Sequence, residues 1–392
     1  MVNSNRPRTI QIYKNKGLEI GTNTLPLPTN GMLVNLDIQI RAKNGTTNND
    51  FTGTPEPTVS NAVDLIQVSS GSAIFKSYTG SMCRKIATYR NGRLPPALLT
   101  GIVGGTWVGN DDPLLGWQTA NFPVDFCTKA DPYGNKTQTV MPAPLYSSLD
   151  LRIDYDPTIS NTAGFVTGNT NNYVDVFATI LPNPGRPALE NKRILTETKK
   201  VDYTTVATGD QSFQLTREPG NVSFLRQLYV DCYEAGIGEG EDCTYLTLQE
   251  DGNNEIAGSW GYWQHKNAVD AGLNIEKTYY ASPTTTGGAH VTGFPAALIK
   301  ALANNVSVTT PLFATYNNDT ITVTCGSAEE YTMTISSPVL PAMAVMDFDV
   351  DGLMANLQPT NVNSLDLVVT NGGAGGTMQV IEQHVSKAWG YN

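Results

Sequence analysis

Residues 65–87, LIQVSSGSAIFKSYTGSMCRKIA, resemble residues 246–268 of the same chain, LTLQEDGNNEIAGSWGYWQHKNA. Aligned without gaps, Gly71 meets Gly252, Gly80 meets Gly261, Lys85 meets Lys266 and Ala87 meets Ala268. Four shorter blocks recur around this pair in the same order. MLVNLDIQI from Met32 resembles SFLRQLYVD from Ser223, and LPPALL from Leu94 resembles FPAALI from Phe294. VDF from Val124 resembles MDF from Met346, and SLDLRI from Ser148 resembles SLDLVV from Ser364. One short match is chance-level, but five in a single order describe a duplicated unit. Each copy is then roughly 190 residues, an ordinary size for one domain.

Within each copy the hydrophobic period is two. Leu36, Ile38 and Ile40 alternate with polar residues, as do Leu149, Leu151 and Ile153, and then Val174, Val176 and Ala178. That pattern is a strand with one face toward a core. Asn30-Gly31, Asn44-Gly45, Asn91-Gly92, Asp251-Gly252 and Asn371-Gly372 punctuate the strands as turns. Short helices are expected at Ser81–Tyr89, with Ser81 as N-cap, and at Ala296–Ala303, entered through Pro295. The class is all-β. Two packed antiparallel sheets per copy describe a jelly roll, although periodicity alone does not separate it from another Greek-key sandwich. The stretch LPNPGRPALENKRILTETKK from Leu181 reads as a linker between the copies. The expected organisation is an N-terminal arm over 1–19, a first roll over 20–185, a linker over 186–200 and a second roll over 201–392.

Charged residues make up 16% of the 392 residues, against an average of about 25%. A surface poor in Lys and Glu suits a protein that buries much of itself against neighbours. The net charge of −11 is unevenly placed. Residues 1–200 hold 19 Lys and Arg against 15 Asp and Glu, and residues 201–392 hold 6 against 21. The acidic second half would repel nucleic acid and anionic membranes, and no sequence-specific nucleic-acid binding is expected. Contact with such partners falls to the opening segment, with Arg6, Arg8, Lys14 and Lys16. That opening, MVNSNRPRTIQIYKNKG, has no apolar core of a secretory leader, so synthesis in a cytoplasm is expected. Cys83, Cys127, Cys232, Cys243 and Cys325 are then expected as mostly buried thiols. A Cys232–Cys243 disulfide is conceivable on spacing alone.

Residues 62–92, AVDLIQVSSGSAIFKSYTGSMCRKIATYRNG, resemble the opening of the first roll in double jelly-roll viral major capsid proteins, with strand, tight turn, strand and a short helix carrying a basic residue. The similarity extends over the chain in its length, its two rolls, its short N-terminal segment and its Pro-rich connection. It implies two tandem jelly-roll β-sandwiches, a non-enzymatic structural role in a virion, and synthesis in the host cytoplasm. The partners it implies are other copies of the chain, first in homotrimers and then in trimer–trimer contacts of an icosahedral shell. Vertex or penton proteins and an internal viral membrane reached by the N-terminal arm follow from the same resemblance. The loops Asn44–Asn61, Thr106–Gln118 and Ala281–Gly293 are expected to form an outer tower or contacts between rolls.

Sites of chemistry are scarce. Asp347, Asp349 and Asp351 with Gly352 match the start of a calcium loop, but its twelfth position is Gln358 where a bidentate Glu is required. An acidic strand face gives the same string, so these three are a weak metal candidate. His265, His290 and His384 are not paired at ligand spacing, and no catalytic residue or cofactor is assigned. Neither TTGG from Thr285 nor NGGAGG from Asn371 is a phosphate loop, and the second is expected as a hairpin loop. Trp260, Tyr262 and Trp263 are expected in a core or an interface. The alternative function, a tandem β-sandwich that binds or cleaves carbohydrate, would need that trio as an exposed platform or a pair of carboxylates across a groove.

Overall fold

The computed structural model describes residues 7–43, 58–98, 117–127, 139–158, 165–183, 185, 189, 192–218, 223–234, 238–239, 243–281, 287–292, 298–303, 313–317, 320–325, 331–337, 343–349 and 357–387. The first half runs β1 (Arg8–Gly17), β2 (Gly21–Pro26), β3 (Gly31–Lys43), α1 (Thr58–Asn61), β4 (Val63–Ser70), β5 (Ala73–Tyr78), α2 (Gly80–Asn91), β6 (Ala97–Leu98), β7 (Trp117–Asp125), β8 (Asp150–Tyr155) and β9 (Asn172–Pro182). Its two sheets are ordered β1-β9-β3-β7-β6 and β2-β8-β4-β5. The inward residues Leu36, Ile38, Ile40, Leu151, Ile153, Val174 and Val176 are fully buried between them, as period-two alternation requires.

The second half repeats this order. It runs β10 (Arg193–Thr205), β11 (Gly209–Gln214), β12 (Ser223–Glu234), β13 (Gly238–Glu239), β14 (Cys243–Glu250), β15 (Asn253–Ser259) and α3 (Trp260–Ala271). Then come β16 (Ile275–Ala281), β17 (Gly287–Thr292), β18 (Leu298–Ala303), β19 (Phe313–Asn317), β20 (Thr320–Cys325), β21 (Tyr331–Ser337), β22 (Met343–Asp347), β23 (Gln358–Pro359), β24 (Leu365–Asn371) and β25 (Thr377–Lys387). The ladder β10-β25-β12-β22 matches β1-β9-β3-β7, and β11-β24-β14-β15 matches β2-β8-β4-β5. Between α3 and β22, two three-stranded sheets, β16-β21-β18 and β17-β20-β19, have no counterpart among the described residues of the first half.

The equivalence reaches single bulges. Register skips from Leu33 to Asn35 against β9, and from Leu225 to Gln227 against β25. It skips from Val63 to Leu65 against β8, and from Cys243 to Tyr245 against β24. A bulge fixes which residue faces the core, so these coincidences align the copies residue by residue. They correct two of the sequence blocks by one residue. Val68 pairs with Leu151 and Leu248 with Leu367, so Val68 matches Leu248, and Gly71 matches Asp251 rather than Gly252. Leu36 pairs with Val124 and Leu228 with Met346, so Leu36 matches Leu228 and not Gln227. The ungapped alignment would have turned core residues outward. The LPPALL and FPAALI blocks do not correspond, because β6 extends β7 whereas β18 pairs β21 in an added sheet.

Four further expectations change. Residues 298–303 are strand, not helix, because antiparallel pairing with β21 overrides the helix propensity of an Ala-Leu run. Arg193–Lys200, expected as linker, opens β10, whose alternating residues pair with β25. Arg8–Gly17, expected as a free arm, is an edge strand on β9. NGGAGG connects β24 to β25 across the two sheets and closes no hairpin. Helix α2 does form over the expected span, capped by Thr79 rather than Ser81, and Gly92 ends it in the left-handed conformation. Of the three expected loops, residues 44–57 and 106–116 lie outside the described residues, and 287–292 is β17.

Candidate functional site

The two rolls meet head to tail. The edge of β5 meets β10 in parallel at Lys76 and Glu197, which joins sheets of both rolls into one. The outer side of α2 lies against the outward face of β12, β25 and β22. That burial forces its polar groups to pair. Lys76 Nζ lies 3.1 Å from Glu197 Oε2, both fully buried. Arg90 also pairs with Glu197, and lies 3.7 Å from Asp125. Lys85 Nζ donates to Asp231 at 2.6 Å. Tyr89 Oη donates to Asp347 at 3.1 Å, and Thr79 Oγ1 to Gln379 at 3.2 Å. Behind these, Gln383 Nε2 donates to Glu197 at 2.6 Å, and Arg226 Nε to Asp349 at 2.8 Å. Burial, and then the neighbouring Arg90, hold the Lys76 ammonium well below the usual lysine range.

The seam absorbs the candidate metal residues. Asp347 accepts from Tyr89 and from Gln227 at 2.5 Å, and Asp349 is held by Arg226. Asp351 lies outside the described residues. Among the described residues no three His, Cys, Asp or Glu side chains are grouped to hold a metal. Arg8, Lys14 and Lys16 are exposed along β1, and Arg6 lies outside the described residues. Trp260 and Trp263 are buried in the core of the second roll, which leaves only Tyr262 of the aromatic trio exposed. Cys83, Cys127, Cys232 and Cys243 are buried and reduced, so Cys232 and Cys243 are not bridged. Burial pushes the Cys127 thiol up to about 12.

One cluster had no signal in the sequence. Ser223 Oγ lies 3.4 Å from His384 Nδ1, and His384 Nε2 lies 3.3 Å from Glu382 Oε2. These residue types can form a nucleophilic triad, and pairing of β12 with β25 brings them together. All three are buried, and Glu382 also accepts from the Thr216 amide at 2.7 Å. The arrangement pairs interior polar groups and presents no nucleophile to a substrate.

Among the described residues the seam is formed once, and the elements of its two halves recur in the other roll. Helix α3 repeats α2, from a Ser259 cap to a left-handed Gly272. Met82 and Tyr89 of α2 are 0% and 5% exposed, whereas their counterparts Tyr262 and Val269 are 51% and 68% exposed. The outward face of β12 and β25 is buried, with Tyr229, Asp231 and Gln379 all covered. On the matching face of β3 and β9, Asp37, Gln39 and Phe177 are half-buried, while Asp175, in the place of Gln379, is buried and accepts from Gln11 and Asn15.

No family model matches the chain, and no curated protein matches it in sequence. Solved structures match its fold over nearly its whole length. The crystal structure of the STIV MCP, from Sulfolobus Turreted Icosahedral Virus, covers 98% of this chain and 98% of its own, at 11% identity and a TM-score of 0.57. The major capsid protein P2 of bacteriophage PM2 covers 99% of both chains, at 8% identity and a TM-score of 0.53. A quasi-atomic model of the PBCV-1 virus capsid covers 98% of this chain and 97% of its own, at 10% identity and a TM-score of 0.50. The shared fold is the double jelly roll.

Proposed function

We propose, from the double jelly roll it shares with those capsid proteins, that this chain is a viral major capsid protein. Its homotrimers would be pseudo-hexagonal tiles of an icosahedral shell. The observation that carries this is the directional seam. The first roll offers a helix and a strand edge, and the second roll accepts them with its sheet face. A head-to-tail contact leaves one offering half and one accepting half free in every copy. It closes into a ring when the rotation allows. With two rolls per chain, three copies supply six units around such a ring.

The protein would then reside in the virion, as a structural component and not an enzyme. Trimer–trimer edges would build the facets, with other capsid proteins at the vertices. The basic residues Arg8, Lys14 and Lys16 line an exposed edge strand, where with Arg6 they would meet a neighbouring subunit or acidic lipid headgroups of an internal membrane. The carbohydrate-binding alternative loses its aromatic platform, because Trp260 and Trp263 are core residues. Negative-stain electron microscopy of the purified protein tests the reading. Tiles of hexagonal outline, or shells and sheets built from them, are expected. Isolated particles of single-chain size at every concentration would overturn it.

A further inference from the structure

Resting on the trimer reading, we infer that the contact between chains copies the seam within the chain but lacks its two central ion pairs, Lys76–Glu197 and Lys85–Asp231. Its two halves are β15 with α3 of one copy, and the outward face and edge of β1, β9 and β3 of the next. The occupant of each face is therefore a second copy of this chain. The alignment of the rolls names the partners. Lys76 and Ile256 are equivalent, since Val68 pairs with Lys76 and Leu248 with Ile256. Glu197 and Thr9 are equivalent, since Glu197 pairs with Gln383 and Thr9 with Thr179 across matching strands. Ile256 of one copy thus comes opposite Thr9 of the next, where the edge of β15 meets the free edge of β1 in parallel. Strand edges left open are templates for such pairing.

The helix follows the strand. The Met82 amide bonds to the Thr79 cap and the Tyr262 amide to the Ser259 cap, which aligns Lys85 with His265 and Tyr89 with Val269. Asp231 aligns with Gln39, so the Lys85–Asp231 ion pair becomes His265 opposite Gln39. Lys76 and Glu197 become Ile256 and Thr9. The exposed apolar side chains Tyr262 and Val269 of α3 are covered in this contact, as Met82 and Tyr89 are covered within the chain.

The change in charge has a use. If α3 docked on the second roll of another copy, Glu197 and Asp231 would be buried opposite Ile256 and His265, without their cations. A buried charge stripped of its partner is strongly unfavourable, so the wrong pairing is rejected. The chain's own α2 carries the cations and takes that place. Helix α3 is left to the face of a first roll, where Thr9 and Gln39 stand in place of Glu197 and Asp231.

A disulfide trap tests the assignment in the full-length protein. Opposed residues on paired strands lie within disulfide reach. With Thr9→Cys and Ile256→Cys in one chain, mild oxidation is expected to give a three-chain species on non-reducing gels. Either substitution alone should give none, and mixing the two single variants should give two-chain species only. Light scattering on the same unoxidised samples separates the outcomes. Trimers that fail to cross-link above wild type would overturn the surfaces and leave the trimer standing. A single-chain mass would overturn both. Val269→Asp, at a side chain exposed in the single chain, should abolish the trimer without changing thermal unfolding of the fold. A trimer unaffected by it would also overturn the surfaces.

Discussion

Lys76 and Glu197 form an ion pair with no exposure to solvent, where the edge of β5 in the first roll meets the edge of β10 in the second. Glu197 also holds Arg90 and accepts from Gln383, so one carboxylate neutralises two cations at the centre of the seam. Glu197→Gln leaves Lys76 buried without its carboxylate and leaves Arg90 with only Asp125, 3.7 Å away. It should cost roughly 3–5 kcal/mol, the usual penalty for breaking a buried pair. Urea unfolding of the wild type and the variant measures this, and a change under about 1 kcal/mol would contradict the role given to Glu197.

The ends of α2 and α3 touch through their glycines. Gly92 and Gly272 both have positive φ, which costs a side-chain-bearing residue about 1–2 kcal/mol. They differ in space. A Cβ on Gly92 would stand 3.0 Å from the Gly272 carbonyl oxygen and 3.2 Å from that of Ala271, whereas one on Gly272 meets nothing. The Asn274 amide also donates to the Gly92 carbonyl at 2.8 Å. Gly92→Ala should therefore lower the melting temperature more than Gly272→Ala. Equal losses would mean that the glycines serve only as caps.

Acid should loosen the second roll through Glu382. Burial raises its carboxyl pKa, but hydrogen bonds from His384 and Thr216 outweigh burial and leave it below the ordinary 4.5. A carboxylate depressed in the folded state stabilises it above that ordinary value, and the contribution disappears as pH falls through the folded pKa. Glu382→Gln should thus flatten the stability profile below pH 4.5 and lower stability at neutral pH. Denaturation midpoints across that range would read it, and parallel profiles for the two proteins would contradict it.

Cys127 should be inert. With its thiol pushed up to about 12 by burial, almost no thiolate exists at pH 8. Alkylation followed by mass spectrometry should leave Cys127 unmodified in the native protein and modify it in urea. Native labelling would show that this part of the first roll opens.

The duplication was legible because core-facing alternation and turn glycines leave short local traces. Its register was not. In the second hairpin, Asp251 and Gly252 both take positive φ, whereas in the first Gly71 stands where Asp251 does. A glycine can serve either turn position, so matching glycines slipped the alignment by one residue. The N-terminal segment looked like an arm because basic residues on an exposed edge strand and on a solvated tail have the same composition. Part of β10 looked like linker for a related reason, since its alternation follows a run of prolines. The seam left no trace at all. Lys85 with Asp231, and Ser223 with His384, are brought together by pairing between distant strands, and nothing in their spacing reports it. The Asp347 string was visible, but as part of a cation loop. Its place opposite Tyr89 and Gln227 appears only once the rolls are packed.

The most direct test of a self-assembling tile is its mass in solution. Multi-angle light scattering during size-exclusion chromatography should give three times the 42.2 kDa of one chain, unchanged in high salt because the proposed contact between copies lacks the Lys76–Glu197 and Lys85–Asp231 ion pairs of the seam within the chain. A mass of one chain at micromolar concentration would contradict the account at its centre.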